Sequence, residues 1–129
     1  MNEDTPADFT QDGDYLRGLM RALWILDTFR GMNPRMSITY AMGFLMVANR
    51  PGLGPTDYAP MLGTTQPIMS RMLLDLGPKT RDKPEGLGLL ERRVSPESLR
   101  QVCYTLTAKG EELATKIARI ALGPSGYPG

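Results

Sequence analysis

Two stretches decide the fold of this chain, and the first is DYAPMLGTTQPIMSRMLLDL at residues 57–76. Its pattern predicts a short helix from about Thr56 to Leu62, a turn at Gly63 and a second helix from about 66 to 76. A threonine oxygen can accept a backbone N–H in the first turn of a helix, so Thr65 is the expected N-cap. Apolar residues at helical spacing predict one buried face for this second helix: Met69, Leu73 and Leu76.

The opposite face of the second helix is polar. Two helices joined by a tight glycine turn, the second with an exposed polar face, form a helix-turn-helix unit. Gln66 matches the hydrogen-bonding edge of adenine, and Arg71 can reach guanine or a phosphate. Thr65 and Ser70 suit phosphate contacts, and Pro67 is tolerated in the first turn of a helix. These five residues therefore form the core of a predicted interface with double-stranded DNA.

The second decisive stretch is GLLERRVSPESLRQVCYTL at residues 88–106. It predicts a strand over about 89–94, a turn at 95–98 and a partner strand over about 100–106, because apolar residues alternate in its second half. Arg93 and Arg100 flank the predicted turn, where they can contact the DNA backbone or the minor groove. The fold class is therefore mainly α with a small β-hairpin (α+β), a winged helix-turn-helix whose wing spans 89–106.

A charged loop precedes this hairpin. Lys79, Arg81 and Lys83 alternate there with Asp82 and Glu85. The basic residues are candidate phosphate contacts, and the mixed charge fits a loop that only confers solubility equally well. Both interpretations stay open on the sequence alone.

The other predicted helices surround these stretches. The first helix runs from about Asp14 to about Phe29. The second begins after Ser37, ends near Ala48 and is apolar almost all round, which predicts a place in the centre of the core with Met42 and Met46. Gly43 in its middle predicts a close approach by another helix.

The last helix and the two ends of the chain complete the organisation. Thr107 is expected to cap a helix over about 108–121. Residues 1–12 are acidic and polar, which predicts a disordered tail, and residues 123–129 predict a flexible C-terminal tail. One winged helix-turn-helix domain is therefore expected over 13–122.

Composition restricts the chemistry. The chain has no histidine and a single cysteine, Cys103, so His-dependent catalysis, an internal disulfide and a usual zinc site are all excluded. We expect no enzyme activity, no metal and no cofactor; Cys103 is interpreted as a structural residue, with a redox sensor as the alternative. No apolar run is long enough to span a membrane, and the acidic N-terminus is unlike a secretory signal, which predicts a cytoplasmic protein.

The net charge of +1 hides an uneven distribution. The first 14 residues hold five acidic residues and no basic one, so the rest of the chain holds 15 basic and nine acidic residues. A basic body with an acidic N-terminal segment is compatible with nucleic-acid binding.

Residues 53–113 resemble the winged helix domain of MarR-type transcriptional regulators. The resemblance rests on the helix-turn-helix pattern at 57–71, on GLLERR at 88–93 and on YTLTAKGEEL at 104–113. It implies a homodimeric repressor that binds a near-palindromic operator. The chain departs from the family in lacking the Asp usual at the wing tip, in its longer loop before the wing and in its single short C-terminal helix.

The sequence therefore supports two functions from different classes. The first is a sequence-specific, DNA-binding transcriptional regulator, a homodimeric repressor that associates through its first and last helices. The second is a winged helix adaptor or inhibitor that binds proteins and has no DNA role. The low net charge and the apolar residues Pro67 and Ile68 favour this alternative.

Overall fold

The computed structural model describes residues 13–78, 81, 86–94 and 101–123. These residues form five α-helices and one antiparallel two-stranded hairpin, which confirms the predicted mainly α fold with a small β-hairpin. In chain order the elements are α1 (Gly13–Met32), α2 (Ile38–Asn49), α3 (Pro55–Met61), α4 (Gln66–Leu76), β1 (Leu90–Val94), β2 (Val102–Leu106) and α5 (Ala108–Leu122).

The chain divides into two units by its internal contacts. One unit comprises residues 36–114, with α2, α3, α4, the hairpin and the first turns of α5; the other comprises 1–35 and 115–129, with α1 and the rest of α5. The predicted disordered tail at 1–12 lies outside the described residues, as does the predicted C-terminal tail beyond Gly123. The expected domain bounds of 13–122 stay a prediction.

The core of the 36–114 unit forms around α4. Helix α2 packs against α4 and β2, and α3 packs against α4. A Cβ atom at Gly43 would overlap the sulfur of Met72, so the glycine permits the predicted close approach of α2 and α4. The side chains with almost no solvent exposure in this unit include Phe44, Val47, Tyr58, Met69, Met72, Leu73, Leu76, Leu89, Leu90 and Tyr104.

The prediction that α2 is buried all round is wrong. Its buried residues lie on one side, against α4 and β2, whereas Ile38, Met42 and Leu45 are exposed. A helix that is apolar all round is buried only where neighbours surround it, and the residues that the structure describes cover one face of α2. Met42 is accordingly not the core residue that its spacing predicts.

The start of α3 also differs from the prediction. Gly54 caps the helix, and the Asp57 carboxylate accepts a hydrogen bond from the Gly54 amide at 3.0 Å. A Cβ atom at residue 54 would lie 2.6 Å from the carbonyl oxygen of Val102, so only glycine fits beside β2. The helix therefore begins one residue earlier than predicted, and Pro60 is followed by only one more helical residue.

Helix α1 buries only Phe29 among its residues. Five large apolar side chains on it are between 41 and 58% exposed: Leu16, Leu19, Met20, Leu23 and Leu26. Their spacing places them on one stripe, which we call the α1 stripe. No helix in the described ranges is both long enough and apolar enough to cross a membrane.

Candidate nucleic-acid interface

Helix α4 presents the face that the sequence predicts. Thr65 is its N-cap and accepts a hydrogen bond from the Ile68 amide at 3.4 Å. The inward face is dry, with Met69, Met72, Leu73 and Leu76 at most 2% exposed. On the other side the structure brings together the predicted site residues of this helix: Thr65, Gln66, Pro67 and Arg71 are exposed, and Ser70 is half-buried.

The turn between α3 and α4 is closed by backbone hydrogen bonds. The Gly63 amide donates to the Pro60 carbonyl at 3.2 Å, and the Thr64 amide donates to the Ala59 carbonyl at 3.0 Å. Gly63 has φ +68°, the left-handed region that favours glycine, as predicted for this position. The turn therefore holds α4 in a defined orientation relative to α3.

The C-terminal end of α4 is joined to the start of the hairpin. The last carbonyls of a helix have no partner inside it. Here three consecutive amides supply partners, at residues 87–89, which we call the 87–89 segment. Their hydrogen bonds are Leu87 to Asp75 at 3.1 Å, Gly88 to Gly77 at 2.7 Å and Leu89 to Leu76 at 3.0 Å.

The first turn of α5 binds the same segment. The Thr107 hydroxyl donates to the Gly88 carbonyl at 2.6 Å and accepts from the Gly110 amide at 3.0 Å, so it is the cap that the sequence predicts. The Thr107 amide donates to the Leu89 carbonyl at 3.1 Å. Hydrogen bonds to the 87–89 segment therefore join α4, the start of the hairpin and α5.

The hairpin follows this junction in the chain. Its register pairs Leu90 with Leu106 and Val94 with Val102, and Leu90 is the only buried residue of β1. Arg93, a predicted DNA contact, is exposed and lies 3.2 Å from the Glu91 carboxylate. An exposed pair of this kind contributes about 0–1 kcal/mol, so Arg93 can exchange Glu91 for another anion at little cost.

Of the other basic candidates for DNA contact, the structure describes only Arg81. Arg81 is exposed. Lys79, Lys83 and Arg100 lie outside the described residues, so the predicted contacts of the charged loop and the wing tip remain predictions. Burial raises the pKa of Tyr104, and the nearby charge of Arg92, a residue that the sequence analysis did not select, acts in the opposite direction.

One contact of α4 was missed by the sequence analysis. The Tyr40 hydroxyl of α2 donates a hydrogen bond to the Asp75 carboxylate near the end of α4. Burial, together with this hydrogen bond, raises the pKa of Tyr40 to about 12, while the nearby charge of Arg71 acts in the opposite direction. The two residues are 35 positions apart, so no local pattern could have paired them.

Cys103 lies on β2 opposite Arg93 and is half-buried. Its neighbour Tyr58 donates to the Arg50 carbonyl, and burial raises the pKa of this tyrosine. The redox interpretation of Cys103 stays a hypothesis.

Within the described residues, no three His, Cys, Asp or Glu side chains are grouped so that they could hold a metal ion.

Several solved structures have the same architecture. The structure of Rv1404 from Mycobacterium tuberculosis matches with a TM-score of 0.63 and 16% identity, over 94% of this chain and 77% of that one. The MepR–DNA complex of S. aureus matches with a TM-score of 0.59 and 22% identity, over 79% of this chain and 73% of that one. The structure of MarR matches with a TM-score of 0.53 and 23% identity, over 81% of this chain and 74% of that one.

The likeness covers most of the chain. The structural neighbours are MarR-family winged helix-turn-helix transcriptional regulators, and the chain has their fold. No protein-family model and no curated protein matches the sequence.

Proposed function

We propose that this chain, with the fold of the MarR-family regulators, is a sequence-specific transcriptional regulator that binds double-stranded DNA as a homodimeric repressor. The observation that carries the proposal is the division of α4 into two faces. Four side chains are sealed into the core, and the opposite face presents Gln66, Ser70 and Arg71 from a helix fixed at both ends. A helix held in this way can enter the major groove without reorganising.

In the proposed complex the N-terminal half of α4 reads base edges. Gln66 would bind adenine through its amide, and Arg71 would bind guanine or a phosphate. Thr65 and Ser70 would contact phosphates, while Arg93 on β1 and the basic residues of the charged loop would contact the flanking backbone. MepR, a protein with the same fold, was solved in complex with DNA, which supports DNA binding as the proposed function.

The α1 stripe supports the homodimer. Its five large apolar residues are about half exposed in the single chain, and Leu122 at the end of α5 is exposed as well. A contiguous apolar surface of this kind is characteristic of an interface. We infer that two copies cover each other's stripe, and a homodimer of this kind would bind a near-palindromic operator.

Selection of bound duplexes from a random pool tests the DNA-binding function. We expect a near-palindromic consensus with half-sites about one helical turn apart. Arg71→Ala should then weaken binding of the selected duplex by about 5- to 150-fold if the guanidinium binds a base, and Gln66→Ala should relax the preference at one position. Arg35→Ala, between α1 and α2, removes the same charge from an exposed site and is the matched control.

Binding of the selected duplex that is unchanged in the Gln66→Ala, Arg71→Ala double variant would refute the assignment of α4.

A protein-binding adaptor is the second candidate. The exposed apolar residues Pro67, Ile68 and Leu74 on α4 favour it. Titration of random-sequence duplex DNA at increasing salt separates the two functions. A DNA binder shows a logarithmic slope of about −0.9 for each phosphate that it neutralises, whereas an adaptor shows no measurable binding.

Oligomeric state tests the homodimer separately. Leu19→Glu with Leu23→Glu places two charges in the α1 stripe, and we expect monomers in sedimentation equilibrium where the wild type is a dimer. Met61→Glu makes the same change at an exposed apolar residue of α3 and should leave the dimer intact. A wild-type monomer at micromolar concentration would refute the proposed assembly.

A further inference from the structure

The first turn of α4 exposes an apolar side chain that the assigned DNA contacts do not use. Ile68 is 54% exposed, next to Met69, which is fully buried. Pro67 beside it is exposed as well. A large aliphatic residue on the surface of an otherwise polar helix face is available for a specific contact.

The local geometry makes Ile68 a rigid contact surface. Its amide is bound by Thr65, and the adjacent Met69 anchors the helix in the core. A β-branched residue in a helix occupies mainly one χ1 rotamer, and the preceding proline has a fixed φ. The Ile68 methyl groups are therefore held in one place and lose little conformational freedom when they are buried.

Among the base edges in the major groove, only thymine offers an apolar group, its C5 methyl. Ile68 lies two residues after Gln66, whose amide matches adenine. We propose that Ile68, with Pro67 beside it, contacts a thymine methyl in each half-site and thereby adds a preference for A·T pairs. The inference rests on the proposed DNA-binding function and names a specificity-determining residue for it.

The surroundings of Ile68 favour DNA over a protein partner. Residues three or four apart are neighbours on a helix surface, so Arg71 is the neighbour of Ile68 on the exposed face. The next exposed apolar residue, Leu74, is six positions away, on a different line of the helix. A small apolar patch of Ile68 and Pro67 with Arg71 beside it suits one methyl group better than a broad apolar protein surface.

Replacement of thymine by uracil in the selected duplex tests the inference directly, because uracil keeps every hydrogen bond of thymine and lacks the methyl. Fluorescence anisotropy with duplexes substituted at one position at a time gives the affinity. We expect one position of each half-site to weaken wild-type binding by about fourfold, the effect of one buried methyl group.

The variant Ile68→Ala should bind the thymine and uracil duplexes equally, at about the affinity of the wild type for the uracil duplex. Ile38→Ala makes the same substitution at an exposed residue of α2 and should retain the preference for thymine. Circular dichroism verifies that both variants are folded.

The outcomes separate this inference from the proposed function. Wild-type binding that is tight and indifferent to uracil at every position would overturn the role of Ile68 and leave DNA binding intact. Retention of the thymine preference in Ile68→Ala would overturn it too. A pool from which no duplex is bound would refute the proposed function, and this inference with it.

Discussion

The contact between α5 and the 87–89 segment leads to a prediction about Gly110. A Cβ atom at this position would overlap the Leu89 carbonyl oxygen, and it would lie 3.2 Å from the Leu89 carbonyl carbon and 3.3 Å from the Cβ of Leu106. Gly110→Ala therefore forces α5 and the 87–89 segment apart. Neither obstacle is the end of a flexible side chain, so neither can rotate aside.

The size of the effect follows from two opposing terms. Alanine gains about 1 kcal/mol over glycine in a helix. Overpacking of a tight core contact costs about 1–3 kcal/mol, and the upper part of this range applies where backbone must move. We expect a net loss of about 1–2 kcal/mol in the free energy of unfolding, which corresponds to a melting temperature lower by about 4–8 °C.

Urea and thermal denaturation measure this loss, with Gly18→Ala as the matched control. Gly18 lies inside α1, and a Cβ atom there would have no neighbour within 4 Å. Only the helix propensity changes, so the control should gain up to about 1 kcal/mol. If Gly110→Ala were also as stable as the wild type or more stable, the close approach of α5 to Leu89 would be refuted.

Two further predictions concern hydrogen bonds that orient α4 and α5. Tyr40→Phe removes the bond to Asp75 and should cost about 1 kcal/mol near neutral pH. The pKa of Tyr40 in the folded state is about 12, above the usual 10.0, so the stability that the wild type has over Tyr40→Phe should be lost as the pH rises from about 10 to about 12. A stability difference that stays constant over this range in urea denaturation would contradict the prediction. Thr107→Ala removes a cap that makes two bonds and should cost about 1–2 kcal/mol, whereas Thr65→Ala removes a single 3.4 Å bond and should cost about 0.5 kcal/mol; equal losses of melting temperature would contradict this order.

The parts of the fold that the sequence predicts well are those with local causes. The cap at Thr65, the positive φ of Gly63 and the buried face of α4 depend on residues within a few positions of one another. The same holds for Thr107 at the start of α5, whereas the alternation predicted for β2 is not seen, since only Tyr104 in that strand is buried. Each confirmed feature rests on hydrogen bonds or side-chain periodicity inside one element, so the local sequence pattern is sufficient to predict it.

The errors have non-local causes. Gly54 caps α3 because β2 passes too close for any side chain there, and β2 begins almost 50 residues later in the chain. The bond between Tyr40 and Asp75 likewise joins two elements that are distant in sequence. Helix α2 is apolar on faces that remain exposed among the described residues, and periodicity alone cannot tell which face of such a helix has a neighbour.

The 87–89 segment also bears on the loop that precedes it. Backbone hydrogen bonds join Asp75, Leu76 and Gly77 to this segment, so the two ends of the charged loop are already held together. The entropy of closing a loop changes slowly with its length and does not depend on the charges that it carries. The fold therefore does not require Arg81, and Arg81→Ala should leave the free energy of unfolding unchanged. A lower affinity of this variant for DNA, with a weaker dependence of that affinity on salt, would then be direct evidence for a phosphate contact. It would decide between the two interpretations of the charged loop that the sequence leaves open, phosphate contact and solubility alone.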